Sequence, residues 1–173
     1  MNRRRLAFGA AAGLAAAAGV AGALWHERQR EQALAAGLEL WAMRLPQPDG
    51  GELVMAELKA APVVINFWAP WCVPCVREMP TLDRFHKAQA ARGWPVVGLA
   101  LDTPQPVLQF LKRVPVSFPI ALIGAPGLGL SHRLGNSAGG LPFTAVVARS
   151  GEVLQRRVGE TSLDELLRWS AAA

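Results

Sequence analysis

The apolar residues of this chain follow two spacings. Val63-Val64-Ile65-Asn66-Phe67-Trp68 is a nearly continuous, β-branched and aromatic run, the pattern of a strand buried on both faces. After it, Met79, Leu82, Phe85 and Ala88 to Ala90 recur at helical spacing and predict a helix over Pro74 to Arg92, ended by Gly93. Pro80 lies inside that helix, where it removes a backbone donor and predicts a kink near Arg77. Pro95 to Leu101 reads as a second buried strand. Asp102-Thr103 before Pro104 starts a helix over Gln105 to Val114. Ser117 to Ile123 is expected as a strand limited by Pro119, and Leu128 to Leu134 as a short helix closed by Gly135. Phe143 to Ala148 and Glu152 to Val158 read as a hairpin around Arg149-Ser150-Gly151. Ser162-Leu163-Asp164-Glu165 is a capping box opening a last helix.

Ahead of this series, Trp41 to Leu45 and Glu52 to Met55 are expected as two short strands. Pro46 to Gly51 forms the turn between them, with Asp49-Gly50-Gly51 supplying positive φ angles. The order β-β, then β-α-β-α-β-α-β-β-α, predicts an α/β three-layer sandwich: a central sheet flanked by helices, with an N-terminal hairpin extension.

The N-terminus has its own pattern. Met1-Asn2-Arg3-Arg4-Arg5 is a positive segment, Leu6 to Trp25 is uncharged and rich in Ala, Gly, Leu and Val, and His26 to Arg30 ends it. Three arginines before an apolar stretch predict a cytoplasmic N-terminus and export of the rest of the chain. Ala21-Gly22-Ala23 fits a cleavage site, and the apolar length also suffices for a bilayer-spanning anchor. The expected organisation is a signal or membrane anchor over 1–30, a polar helix-prone tether over 31–37 and one folded domain over 38–173.

Charge changes the picture little. The formal net charge of +5 invites a nucleic-acid reading, but residues 1–30 carry +4 of it and the remainder only +1. The body offers no basic stripe, so no nucleic-acid partner is expected. Lys112-Arg113 and Arg156-Arg157 read as solvated faces, and His86 and His132 as ordinary helix-surface residues.

The chemistry is concentrated in Trp71-Cys72-Val73-Pro74-Cys75, which holds both cysteines of the chain. A disulfide across so short a loop adds little stability, so the pair reads as a dithiol that opens and closes. Zinc would need two further ligands, and His26, His86 and His132 are far apart in sequence. A c-type haem site needs His after the second Cys, where Val76 stands, and an iron–sulfur cluster needs four thiolates. A redox dithiol is thus preferred over metal-binding and inert readings.

At this point the chain resembles the thioredoxin superfamily, and within it the exported, membrane-tethered thiol–disulfide oxidoreductases of the TlpA/ResA type. The resemblance covers about residues 37–170 and rests on Asn66-Phe67-Trp68-Ala69-Pro70-Trp71-Cys72-Val73-Pro74-Cys75-Val76-Arg77-Glu78-Met79-Pro80 and on Gly140-Leu141-Pro142-Phe143-Thr144. It implies a thioredoxin-like fold and a redox-active Cys72–Cys75 disulfide with no separate cofactor. It also implies a cis peptide before Pro142, with Leu141 offering backbone groups to an extended substrate. Cys72, at a helix N-terminus, is expected to be the attacking thiolate, and Cys75 to resolve the mixed disulfide. Pro74 tunes the thiolate by fixing the backbone and withholding a donor, and Trp71 either covers one side of the pair or serves as plain packing. Cytosolic thioredoxins carry a buried Asp where this chain has Asn66, so Glu78, three residues past Cys75 on a similar helix face, is expected to assist proton transfer, the alternative being an exposed helical Glu that makes surface pairs. Phe143 and the flexible Ser137-Ala138-Gly139-Gly140 depart from the family pattern and put the substrate surface in question, not the redox core.

The function expected is that of a periplasmic reductant, anchored or released after cleavage. Its partners would be protein thiol clients, such as apocytochrome c or copper-site cysteines, and an upstream membrane electron donor. Oxidase or isomerase activity is the enzymatic alternative, and a Cu(I)–thiolate carrier the non-enzymatic one.

Overall fold

Three strands with almost no polar residues can be stable only under helices on both faces, and this is the arrangement found in the computed structural model of the chain. The structure describes residues 3–58 and 62–172, with side chains from residue 17 onward. In chain order the elements are α1 (Arg3–Ala42), β1 (Arg44–Pro46), β2 (Glu52–Val54), β3 (Val63–Trp68), α2 (Val73–Gln89), β4 (Val96–Ala100), α3 (Pro104–Arg113), β5 (Ile120–Leu122), α4 (Pro126–Arg133), β6 (Phe143–Val147), β7 (Val153–Val158) and α5 (Leu163–Ala172).

The main sheet has the order β5-β4-β3-β6-β7. β3, β4 and β5 run parallel, while β6 pairs antiparallel with β3 and β7 with β6. Because side chains alternate across a strand, β3 feeds two cores. Val64 and Trp68 pack with Met79, Leu82 and Phe85 of α2, Val107 and Phe110 of α3, and Leu166 of α5. Val63, Ile65 and Phe67 pack on the other face with Ala36, Leu40 and Trp41 of α1 and Leu130 of α4. α2 and α3 share a face because β3→β4→β5 advances in one direction across the sheet; the return to β6 places α4 opposite. β1 and β2 form the separate hairpin, with Gly50 at φ 94° in its turn.

Two expected strands are corrected. Trp41 belongs to α1, and β1 begins at Arg44. Ala36, Leu40 and Trp41 fall on one helical face and are buried against the sheet, and Trp41 Nε1 donates to the Ala148 carbonyl at 3.0 Å. Burial at helical spacing outweighed the strand propensity of a short apolar run. The strand expected over Ser117 to Ile123 is only Ile120–Leu122: Pro119 has no N–H to give the ladder, although its carbonyl accepts the Gly98 amide at 3.0 Å, and Ser117 is committed to Asp83.

The chain divides into two compact units, 1–32 and 33–173. Residues 33–37, expected as tether, thus group with the folded body, and Ala36 is buried there. In the first unit Val20, Leu24 and Trp25 are exposed. Among the described residues no helix is long and apolar enough to cross a membrane. The apolar segment Leu6 to Trp25 lies in large part outside the residues whose side chains are described.

Candidate active site

β3 ends at Trp68, and Ala69 to Trp71 turn the chain into α2. Cys72 is the N-cap of that helix, extended at φ −84° and ψ 102°, and its Sγ accepts the Cys75 N–H at 3.3 Å. Pro74, which needs no amide partner, occupies the first turn, where such a partner is absent anyway. Cys72 and Cys75 are joined as a disulfide with Cα atoms 5.2 Å apart. Cys75 is wholly buried and Cys72 is 6% exposed. The sulfur at the helix cap is therefore the one open to attack, and it sits where unpaired amides and the helix dipole favour a thiolate.

The flanks differ from expectation in one respect. Trp71 is 67% exposed and Val73 64%, so Trp71 does not serve as packing and stands beside the disulfide as a free apolar surface. The Leu141–Pro142 peptide is cis; Pro142 is buried and Leu141 half-buried. The Pro142 carbonyl accepts the Gly159 amide at 2.8 Å, and Asn136 Nδ2 donates to the Gly140 carbonyl at 3.0 Å, which ties the flexible-looking loop to its surroundings.

Glu78 lies one turn beyond Cys75 and is almost completely buried. Residues three apart on a helix are neighbours on its surface. Asn66 Nδ2 donates to Glu78 Oε1 at 2.6 Å. Thr161 donates to Oε2 from its backbone N–H at 2.9 Å and from its hydroxyl at 3.2 Å. Burial pushes Glu78 up from 4.5 to about 7, against the Thr161 and Asn66 hydrogen bonds, which pull it down. A carboxyl that titrates near neutrality beneath a dithiol can exchange protons with it at working pH.

Sequence reasoning singled out Cys72, Cys75, Glu78 and the Leu141-Pro142 loop as candidates, and the structure gathers the two cysteines and Glu78 on the first turns of α2. It missed Thr144 and Thr161. The signal for Thr144 was present: it is the polar residue in an apolar strand, and it pairs in register with Asn66, the polar residue of the neighbouring one. Thr161 stands just before the capping box, where a second hydroxyl carries no distinguishing pattern. His86 departs from its expected surface role, since it is half-buried and its Nδ1 accepts the Val96 amide at 3.1 Å. Among the described residues no group of His, Cys, Asp and Glu is arranged to hold a metal.

Comparison with known proteins agrees with this geometry. The Redoxin family model matches residues 35–167. The thiol-disulfide oxidoreductase ResA of Bacillus cereus is 29% identical over 119 residues; the match covers 68% of this chain and 66% of that protein, just under two thirds of its length. The crystal structure of a thioredoxin-related protein from Neisseria meningitidis serogroup B is 37% identical with a TM-score of 0.66, covering 74% of this chain and 96% of that one. A thiol:disulfide interchange protein of the thioredoxin family from Chlorobium tepidum is 26% identical with a TM-score of 0.67, covering 76% and 92%. A matched family model over most of the folded body, with a helix-capping Cys-x-x-Cys and a cis-proline loop, places the chain in the Redoxin family, as a TlpA/ResA-type member of the thioredoxin superfamily.

Proposed function

We propose that the chain is a thiol–disulfide oxidoreductase working outside the cytoplasm, in the reducing direction, on cysteine pairs of other proteins. The observation that carries the reading is the asymmetry of the pair: an attackable Cys72 at the helix cap, a buried Cys75, and Glu78 one turn further in. In the reduced protein the Cys72 thiolate attacks a client disulfide, forming a mixed disulfide and releasing one client thiolate. Cys75 gives its proton to the Glu78 carboxylate and attacks Cys72 Sγ. The Cys72–Cys75 disulfide forms, the second client thiolate leaves, and the client has gained two electrons. Protonated Glu78 then returns its proton toward the departing thiolate or solvent. Exposed Trp71 and Val73 with half-buried Leu141 give an extended client apolar ground beside the sulfur.

Export and attachment rest on the arginines at 3–5 and the apolar stretch after them. Outside the cytoplasm the pair must be re-reduced by a membrane-borne thiol donor. Apocytochrome c and copper-site cysteines are the client classes we favour. The direction rests on Val73-Pro74, which adds no cationic group to stabilise the thiolate and so does not favour the reduced form as strongly oxidising dithiols do. Catalysed reduction of insulin or a client disulfide tests the proposal, with Cys72→Ser as the inactive control. Cys75→Ser is expected to accumulate a mixed disulfide through Cys72. Absence of both reduction and trapped adduct in the prereduced proteins contradicts it.

A further inference from the structure

Four side chains close a ring around Glu78, one helical turn beyond Cys75, and the direction of each hydrogen in it can be assigned. Ionised Glu78 only accepts, so Asn66 turns its amide nitrogen toward it. The same nitrogen donates its second hydrogen to Thr144 Oγ1 at 3.0 Å. The Thr144 hydroxyl then has one acceptor in this ring, Thr161 Oγ1 at 3.1 Å. Thr161, receiving that hydrogen, turns its own toward Glu78 Oε2, next to its backbone N–H. Asn66, Thr144 and Thr161 are all buried, and Asn66 Oδ1 has no partner among the described residues, so the amide is held in this sense by what its nitrogen serves.

The chain of hydrogens is therefore directional. With Thr144 in place, the Thr161 hydroxyl is held as a donor to the carboxylate. Without Thr144, that hydroxyl is free to rotate and accept a hydrogen from a protonated Glu78. We propose that Thr144 is a positioning residue of the dithiol chemistry: by fixing the Thr161 hydroxyl as a donor, it biases Glu78 toward the ionised form that takes the proton from Cys75. This rests on Glu78 being the proton acceptor of the proposed reaction. The charged groups on the surrounding elements are few. Glu160, ahead of α5 and paired with Arg77, raises Glu78. Asp83 of α2 pairs with Lys87, and Glu165 of α5 with Arg157 of β7. On reduction the Cys75 thiol joins this set.

The test is direct titration of the Glu78 carboxyl in the full-length oxidised protein by ¹³C NMR, with Glu78→Gln assigning the resonance. Thr144→Val is expected to raise the midpoint by roughly half to one pH unit, the worth of one neutral hydrogen bond. Thr144→Ser restores the hydroxyl and is expected to return it to the wild-type value. Thr161→Val, which keeps the backbone donor, is expected to raise it too, and the double variant by less than the sum. The acid limb of the client-reduction rate is expected to move with the midpoint. A midpoint that stays or falls in Thr144→Val, or that Thr144→Ser does not restore, overturns the inference. If Glu78→Gln changes the rate profile while the Thr144 variants leave the midpoint in place, only the Thr144 assignment fails. If the midpoints move but the rate profiles of all variants, Glu78→Gln included, superimpose on wild type, the proton-acceptor reading fails and Thr144 loses its role with it.

Discussion

Replacing Glu78 by Gln tests the burial of this carboxyl through stability, independently of any client. Gln keeps the shape. Its amide oxygen can accept both Thr161 donors, and its amide nitrogen can donate to Asn66 Oδ1, otherwise unpartnered, if the Asn66 amide turns over. In the wild type Glu78 is raised from 4.5 to about 7, chiefly by desolvation. Its folded value lies above its unfolded one, so the protonated group supports the fold below pH 4.5, and that support is lost as pH rises through 7. At about 1.4 kcal/mol per pH unit, the ionised carboxyl costs the fold about 3 kcal/mol above pH 8 relative to pH 4. Gln does not titrate. The unfolding free energy of Glu78→Gln minus that of wild type is therefore expected to rise by about 3 kcal/mol from pH 4 to pH 8. Urea denaturation of both oxidised proteins across this range measures it, and other titrating groups cancel in the difference. A flat difference refutes the argument from burial, and a falling one refutes its sign.

Two further expectations concern the frame that holds the site. Burial alone would raise Asp83, but the bonds from Lys87 and from the Ser117 hydroxyl and amide outweigh it and hold Asp83 at about 2 rather than 3.8. Its contribution is present above pH 3.8 and lost as pH falls through 2; with solvent screening the pair to the exposed Lys87, Asp83→Asn is expected to lose about 1 kcal/mol at pH 7, read by urea unfolding, with the gap closing in acid. At Gly37 an added Cβ would lie 1.9 Å from the Gly151 carbonyl oxygen, whereas at Gly22 it meets nothing within 4 Å. Gly37→Ala is thus expected to destabilise the folded body by about 1–3 kcal/mol in thermal or urea unfolding, and Gly22→Ala to leave it unchanged.

The strands and the redox pair were legible because their signals are local. A buried parallel strand must be continuously apolar, and Cys-x-x-Cys before a helical period leaves few other chemistries. The end of α1 was not legible as helix, since Trp41 to Leu45 satisfies strand propensity and only the sheet face beneath Ala36, Leu40 and Trp41 decides otherwise. Glu78 was legible as a candidate from its spacing to Cys75, but its burial was not, because a charged residue on an amphipathic helix ordinarily faces water. Its partners come from β3 and the segment before α5, with Thr144 of β6 bridging the two, brought together only by the fold. Asn66 was noticed for what it cannot do as a proton carrier; its two-way donation to Glu78 and Thr144 needed the register between β3 and β6.

The reduction potential of the Cys72–Cys75 couple, equilibrated against glutathione or a reference thioredoxin, bears on the central claim most directly. A value near −270 mV is expected for a pair that delivers electrons to clients; a value near −120 mV would make it an oxidant and contradict the proposed direction.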